Sequence, residues 1–384
     1  MRTYDTVIVG GGIAGLACAR QLRAAGHDFV LVTDRLGGRM FAHGAAMHNF
    51  GATYVTSDYR HIGRFIDRGR RVRWRDVFFH DGVRFLTIWH PSNLRHRRAL
   101  LRLYARLIEF RGHLNRLRAL SPRVCQAELL RDDPLLGRAT REPAAEFVAR
   151  NGLADLNATF VAPMVNSTVF TTFEQVNTFY YLAVLMPILL PTYLADFSRT
   201  IPRLTAGLCD RIGVERVVAL EPSPRGGFAV TTTLRDLRAR NVVVATPAHN
   251  LRDFGTGLDP SWIGTEGVRE IPIVTLHVRG RRRDEYRPEK LVFLRPDEAA
   301  TVLIPLEPGL DMLFAPTPEP DLAPYFEHHE VAARVRWKTA IQLSGACWRR
   351  LAPRPGLYTI GDYNICGLED SYLTDLFAAN RIVG

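Results

Sequence analysis

The chain has 384 residues, carries 50 Lys and Arg against 39 Asp and Glu for a formal charge of +11, and is 47% hydrophobic. That balance excludes disordered and collagen-like chains, and the length suits two domains that bury their cores without disulfide staples. The five cysteines (Cys18, Cys125, Cys209, Cys347, Cys366) contain no CxxC pair, which points away from a secreted scaffold or a zinc site and towards a reducing, cytoplasmic setting.

MRTYD passes straight into TVIVGGG without the regions of a signal peptide. Residues 1–34 read as one βαβ unit: strand Thr6–Val9, a glycine-rich turn, helix Ile13–Ala25, Gly26 and strand Phe29–Val32. Val77–His80 and Val83–Ile88 flank Asp81-Gly82, a pair that favours a hairpin. Asn93–Leu120 spaces Leu100, Leu103, Leu107, Phe110, Leu114 and Leu117 as one helical stripe, with Arg98, Arg102 and Arg106 on another face. This basic helix either faces the core or, if its stripe is exposed, makes peripheral contact with anionic lipid. Thr140, Glu142 and Pro143 read as a cap before helix Ala144–Arg150, stopped by Gly152.

Phe179–Phe197 is apolar but broken by Pro187 and Pro191, so it is predicted as buried helices lining a pocket and not as a membrane span. Strands are predicted at Val214–Glu221, Phe228–Thr233, Asn241–Ala245, Ile273–Val278, Val302–Ile304 and Met312–Phe314. A proline-rich loop, Pro316–Pro324, follows. Strand Leu357–Ile360, Gly361-Asp362 and a helix from Leu368 to Ile382 close the chain.

Gly10, Gly12 and Gly15 form GxGxxG between a predicted strand and helix, the context that gives this motif meaning. The first glycine permits the turn, the second lets backbone approach a pyrophosphate, the third packs the helix, and the N–H groups of Ile13 and Ala14 open towards the anion. At the end of the second strand Asp34 is the acid placed to bind ribose hydroxyls. Arg35 and Arg39 are placed to pair with phosphate, and Gly38 lets the chain fold back over a cofactor.

VIVGGGIAGLACARQL followed by DRLGGRM resembles the FAD-dependent amine oxidase, protoporphyrinogen oxidase and phytoene desaturase superfamily. HNFGATY, VVVATPA and GLYTIGDYNICGLEDSYLTDLFAA resemble further segments of it. The resemblance implies an α/β fold: a discontinuous Rossmann-like FAD-binding domain (1–76, 205–255 and 345–384) with a second, α+β substrate domain (77–204 and 256–344). It adds Gly51, Ala52, Thr53, Thr246, Gly361, Asp362 and Leu368 to the cofactor-binding residues, and Val217 as a strand residue whose backbone meets adenine. Asp362 would bind the flavin's ribityl or phosphate region, and the Leu368 N–H its carbonyl edge.

Three features depart from the family pattern. Thr33 stands where the ribose-binding glutamate is expected, and Asp370 and Asp375 stand where glycine is favoured. Each aspartate is either a poor neighbour for the cofactor or, for Asp370, a complement to the helix dipole. The family's lysine near the flavin is missing from Ile273–Val278, which favours carbon–carbon dehydrogenation over amine oxidation. Lys338 reads as a surface helix lysine or as one near the flavin.

The resemblance therefore implies an FAD-dependent oxidoreductase that removes a hydride from an apolar or amphipathic small molecule at a CH–CH or CH–NH bond and passes electrons to oxygen or a quinone. Phe170 and Phe173 would wall its pocket. A redox-neutral isomerase or mutase and a degenerate, flavin-binding partner protein are the alternatives. No metal site is expected: the histidines are scattered and His328-His329 lies near a loop without a carboxylate in ligand spacing. No catalytic residue stands out. Nucleic acid is not an expected partner, because the arginines of Arg60–Arg75 are interleaved only with Phe65 and Trp74.

Overall fold

Arg2–Gly11 form strand β1, Ile13–Ala24 helix α1 and Phe29–Leu36 strand β2. The computed structural model describes residues 2–43, 48–253, 258, 262, 267–345 and 348–384. β1 runs parallel to β2 on one side and to β3, Asp236–Val244, on the other. Val7, Ile8 and Val9 are at most 3% exposed; they are apolar in succession because a parallel sheet is covered on both faces.

Ile212–Val214 extends the sheet beyond β2, and Leu357–Thr359 pairs in parallel with the end of β3. The antiparallel strands Phe228–Thr232 and Val217–Pro222 complete it. The single strand predicted over Val214–Glu221 is thus two strands at opposite ends of one sheet. Buried Glu215 makes the corner: its N–H donates to the Thr33 carbonyl at 2.8 Å, and its carboxylate accepts from Thr232 and Arg235, each at 2.6 Å.

A second, largely antiparallel sheet is built on two long strands, β4 (Val268–Arg282) and β5 (Phe326–Ser344). It continues through Leu310–Ala315, Val302–Glu307, Leu291–Phe293 and Val77–His80 to Phe85–Leu86. The expected hairpin turns at Gly82, φ +95°. β5 corrects one expectation, since Lys338 lies on a strand and not a helix; His328-His329 sits at the start of that strand, just after the loop. The alternation of Ala333, Val335, Trp337 and Thr339 with exposed Arg334, Arg336 and Lys338 is the period of a strand open to water on one face.

The helical layer centres on α2, Arg97–Leu120, whose residues Leu103, Leu107, Phe110, Leu114 and Leu117 are buried. The stripe read from the sequence therefore faces the core, with Phe110 edge-on to Phe179 at 5.3 Å. Thr140 caps the end of Pro134–Ala139, its hydroxyl donating to Gly137 O at 3.1 Å, and is not the start of Ala144–Arg150. The apolar run after Phe179 is only partly helical. Thr178–Val184 is a helix, but Thr192–Asp196 is a strand that pairs with Tyr54–Thr56 and Asp67–Val72. Pro187 and Pro191 prevent a continuous helix, since each lacks the N–H that a helix interior requires.

The last helix, α3 (Leu368–Val383), packs along α1. Asp375 on α3 is fully buried, and neither carboxylate oxygen has a hydrogen-bond partner among the described residues. Burial pushes its carboxyl well above the usual range, so the folded protein keeps a proton there that the unfolded chain releases. This penalises the folded state increasingly as pH rises above the ordinary carboxyl range. Asp375→Asn is therefore expected to raise the thermal unfolding temperature at neutral pH and to gain less in acid. Equal gains at both pH values would contradict this.

Candidate active site

The site begins at the turn between β1 and α1. Gly10 has φ +112°, and a Cβ there would lie 2.5 Å from the Ala245 carbonyl oxygen. On α1, a Cβ at Gly15 would lie 1.9 Å from Gly10 O, so this glycine seats the helix against the strand and does not line the cavity. A Cβ at Gly12 would meet nothing within 4 Å, because Gly12 faces open space. The helix start has no side-chain cap and no acid in its first turn, which leaves N–H donors and the positive end of the helix dipole facing a cavity of about 620 Å³.

Thr33 is 4% exposed and ties this turn to the end of β2. Its hydroxyl accepts from the Gly11 N–H at 2.9 Å and donates to the Arg35 carbonyl at 2.7 Å. The Gly37 N–H donates to Gly11 O at 2.8 Å. Where the family pattern has an acid, this chain thus has a short hydroxyl that braces the loop, and exposed Asp34 borders the cavity beside it. The Arg35 guanidinium lies 4.9 Å from the Phe41 ring centre and 5.8 Å from that of Trp337.

Arg39 forms a two-pronged pair with Asp362, both contacts at 2.6 Å, and donates to Ala340 O at 3.1 Å. The Asp362 side chain is 7% exposed and also accepts from Gln342 at 2.8 Å. Gln342 in turn accepts from the Ala248 N–H at 3.0 Å. Burial pushes the Asp362 carboxyl up, but the Arg39 charge and these hydrogen bonds outweigh it and hold the carboxyl below its usual range. The planar edge that the sequence reading gave to a phosphate is therefore committed to Asp362. A Cβ at Gly51 would lie 1.8 Å from Arg39 O, which brings Gly51, Ala52 and Thr53 along the same wall.

α3 starts at Leu368 after Gly367, which offers no side-chain cap. Both acids of its first turn are engaged. Asp370 receives the Arg118 fork from α2 at 2.9 and 2.7 Å, and Arg118 also donates to Asp58 at 2.8 Å. Glu369 accepts from the N–H groups of Arg60, His61 and Ile62. Asp370 thus lies in the first turn, and its charge is answered by an arginine.

Of the residues expected at a cofactor, Gly10, Gly12, Ile13, Ala14, Asp34, Arg35, Gly38, Arg39, Gly51, Ala52, Thr53, Thr246, Gly361, Asp362 and Leu368 all line this one cavity. Val217 does not: it is 5% exposed and packs in the core of the first sheet. Part of its wall is apolar, formed by Phe170, Phe179, Val184, Met186, Ile273 and Phe314. Phe170 holds a left-handed conformation, φ 56°, rare for a bulky side chain. Phe173 packs elsewhere, against the helical core.

Tyr180, Cys366, His249 and Lys338 also border the cavity. Burial pushes the Cys366 thiol up to about 12, which keeps it protonated and poorly nucleophilic at neutral pH. His249 Nδ1 lies 3.0 Å from Glu270 and 2.8 Å from Thr339. No spacing in the sequence marks His249 or Arg118, because each meets its partner only across the fold.

Residues 8–68 match the NAD(P)-binding Rossmann-like domain. No curated protein sequence matches the chain. Among solved structures, a putrescine oxidase bound to putrescine has a TM-score of 0.70 at 14% identity, covering 99% of both chains. A CLA-producing fatty acid isomerase from P. acnes gives 0.70 at 14% identity, covering 98% of both. Cyclohexylamine oxidase from Brevibacterium oxydans IH-35A gives 0.67 at 14%, covering 99% of this chain and 98% of its own. At this identity the likeness establishes the fold: α/β, with a Rossmann-like domain joined to a second domain of sheet and helices, as the sequence resemblance implies.

Two outcomes follow for the site. Thr33→Val removes the acceptor of a buried N–H and is expected to cost about 1–3 kcal/mol, read as a lower urea midpoint; an unchanged midpoint would show that the hydroxyl braces nothing. Asp362→Ala leaves Arg39 without its partner and is expected to cost about 3 kcal/mol, part of it recovered by adding Arg39→Met. The stability that Asp362 contributes is present above the ordinary carboxyl range and is lost as pH falls below it, so the Asp362→Ala deficit shrinks in strong acid.

Proposed function

We propose that the protein is an FAD-dependent oxidoreductase acting on an apolar or amphipathic small molecule. The observation that carries this reading is the lining of one cavity. A single wall brings together an uncapped helix start and Gly12, suited to a pyrophosphate, the start of α3, and a set of apolar side chains. The volume, about 620 Å³, lies within the range of small-molecule and cofactor sites. In this reading 1–76, 205–255 and 345–384 form the FAD domain and the other two stretches the substrate domain.

FAD held there would supply the acceptor for a hydride. The chain's own residues do the rest. The N–H groups of Ile13 and Ala14 receive the pyrophosphate, Asp34 the adenosine ribose, and the Leu368 N–H the flavin's carbonyl edge. Phe170, Phe179 and Phe314 exclude water from the substrate and orient its apolar part. Electrons leave to oxygen or a quinone. β4 carries no lysine, which favours a CH–CH substrate, while Lys338 on neighbouring β5 borders the cavity and keeps CH–NH oxidation within reach.

One observation favours a second, redox-neutral reading: the likeness to the fatty acid isomerase equals that to putrescine oxidase. Anaerobic mixing with a turned-over substrate separates the two, because an oxidoreductase bleaches the flavin while an isomerase forms product without net bleaching.

The cofactor is tested by the absorption spectrum of the purified chain after incubation with FAD. Flavin bands that stay with the protein are expected. Gly12→Asp, whose side chain enters open space, should fold but set a carboxylate against the pyrophosphate and weaken FAD uptake by at least about tenfold. Absence of bands from the parent chain, or full uptake by the variant, would overturn the assignment.

A further inference from the structure

α2 has a second apolar stripe, opposite the one that faces the core. Leu101 is 71% exposed and Ile108 54% exposed; seven residues apart, they lie on one helical face, turned away from Leu103, Leu107, Phe110 and Leu114. Leu94, seven residues before Leu101 in the turn Pro91–His96, is 69% exposed, and Trp89 just ahead of it 73%. Tyr104 borders the stripe and is also exposed. A monomeric surface rarely gathers so many large apolar side chains along one element.

The charge around this stripe decides what covers it. Arg97, Arg98, Arg102, Arg106 and Arg116 are exposed, and the only acid in Arg97–Leu120, Glu109, is held by Arg106 at 2.9 Å. A second copy of the chain would bring these arginines against their own kind, which the same low-dielectric contact makes costly. An anionic bilayer satisfies both halves of the surface: leucine, isoleucine and tryptophan enter the headgroup boundary, while the arginine stems lie along it with their guanidinium groups on phosphate. Among the described residues no helix is long and apolar enough to cross a membrane, so the contact is with the surface.

We infer that the outer face of α2, led by Leu94, Leu101 and Ile108 and rimmed by Arg97, Arg98 and Arg116, docks the protein on anionic lipid. The inference rests on surface chemistry and is independent of the cofactor reading. The test is co-sedimentation of the full chain with phosphatidylcholine vesicles, with and without phosphatidylglycerol. Binding is expected only to the vesicles that contain phosphatidylglycerol, and to weaken as salt screens the charges. Changing Arg97, Arg98 and Arg116 to alanine should lower the partition coefficient about fivefold per arginine, and Leu101→Ser with Ile108→Ser by about tenfold or more. These positions are exposed, so thermal unfolding should stay unchanged and certify the fold. Equal partition onto both vesicle types, or full binding by the serine variant, would overturn the inference. So would a concentration-dependent dimer that the serine variant dissolves, since a second copy would then be what covers the stripe.

Discussion

The cavity depends on one ion pair. Arg39 follows the glycine loop after β2, Asp362 follows the strand Leu357–Thr359, and their forked contact joins segments 323 residues apart. Without a partner each charge would be left largely out of water, a state costly enough that the pair effectively fixes where the two segments meet. Gln342 and the Ala340 carbonyl attach the end of β5 to the same pair. The first sheet and the second sheet are therefore fastened to each other at this pair, which lines the cavity.

How much of this could be read beforehand follows from how local each signal is. The glycine turn was legible because its requirements lie within a few residues: a positive φ at Gly10, an open face at Gly12, a close approach at Gly15. β5 was not, since its run of His, Glu and Arg hides a period-two pattern behind polar side chains exposed on one face. The corner at Glu215 was missed because what divides the strand is a set of partners distant in sequence, Thr33, Thr232 and Arg235. Thr33 itself shows the limit of motif comparison: the mismatch is visible in the sequence, but the hydroxyl's work in bracing Gly11 is visible only in the fold.

The basic composition divides along the same lines. Arg39 and Arg118 point inward and answer Asp362 and Asp370, so they fasten the cavity wall. Among the described residues, the arginines on the outside of α2 answer no acid except through Arg106. One helix thus serves two environments, with Leu114 and Arg118 on the cavity and Leu101 and Ile108 on the surface.

The sheet order also has a temporal meaning. β1 finds one neighbour, β2, close by in the chain, but its other neighbour is β3 and the next strand beyond that is Leu357–Thr359, both made much later. α1 is covered by α3, made later still. The βαβ unit must therefore persist with an uncovered sheet edge and an exposed helix flank until those later segments have been made. Parallel pairing across such separations is slow and open to aggregation. For a nascent chain of this design the first sheet is closed and its helix covered only once Leu357–Val383 has been made, and a chain stopped before Leu357 would be a client for chaperones and not a smaller version of the protein.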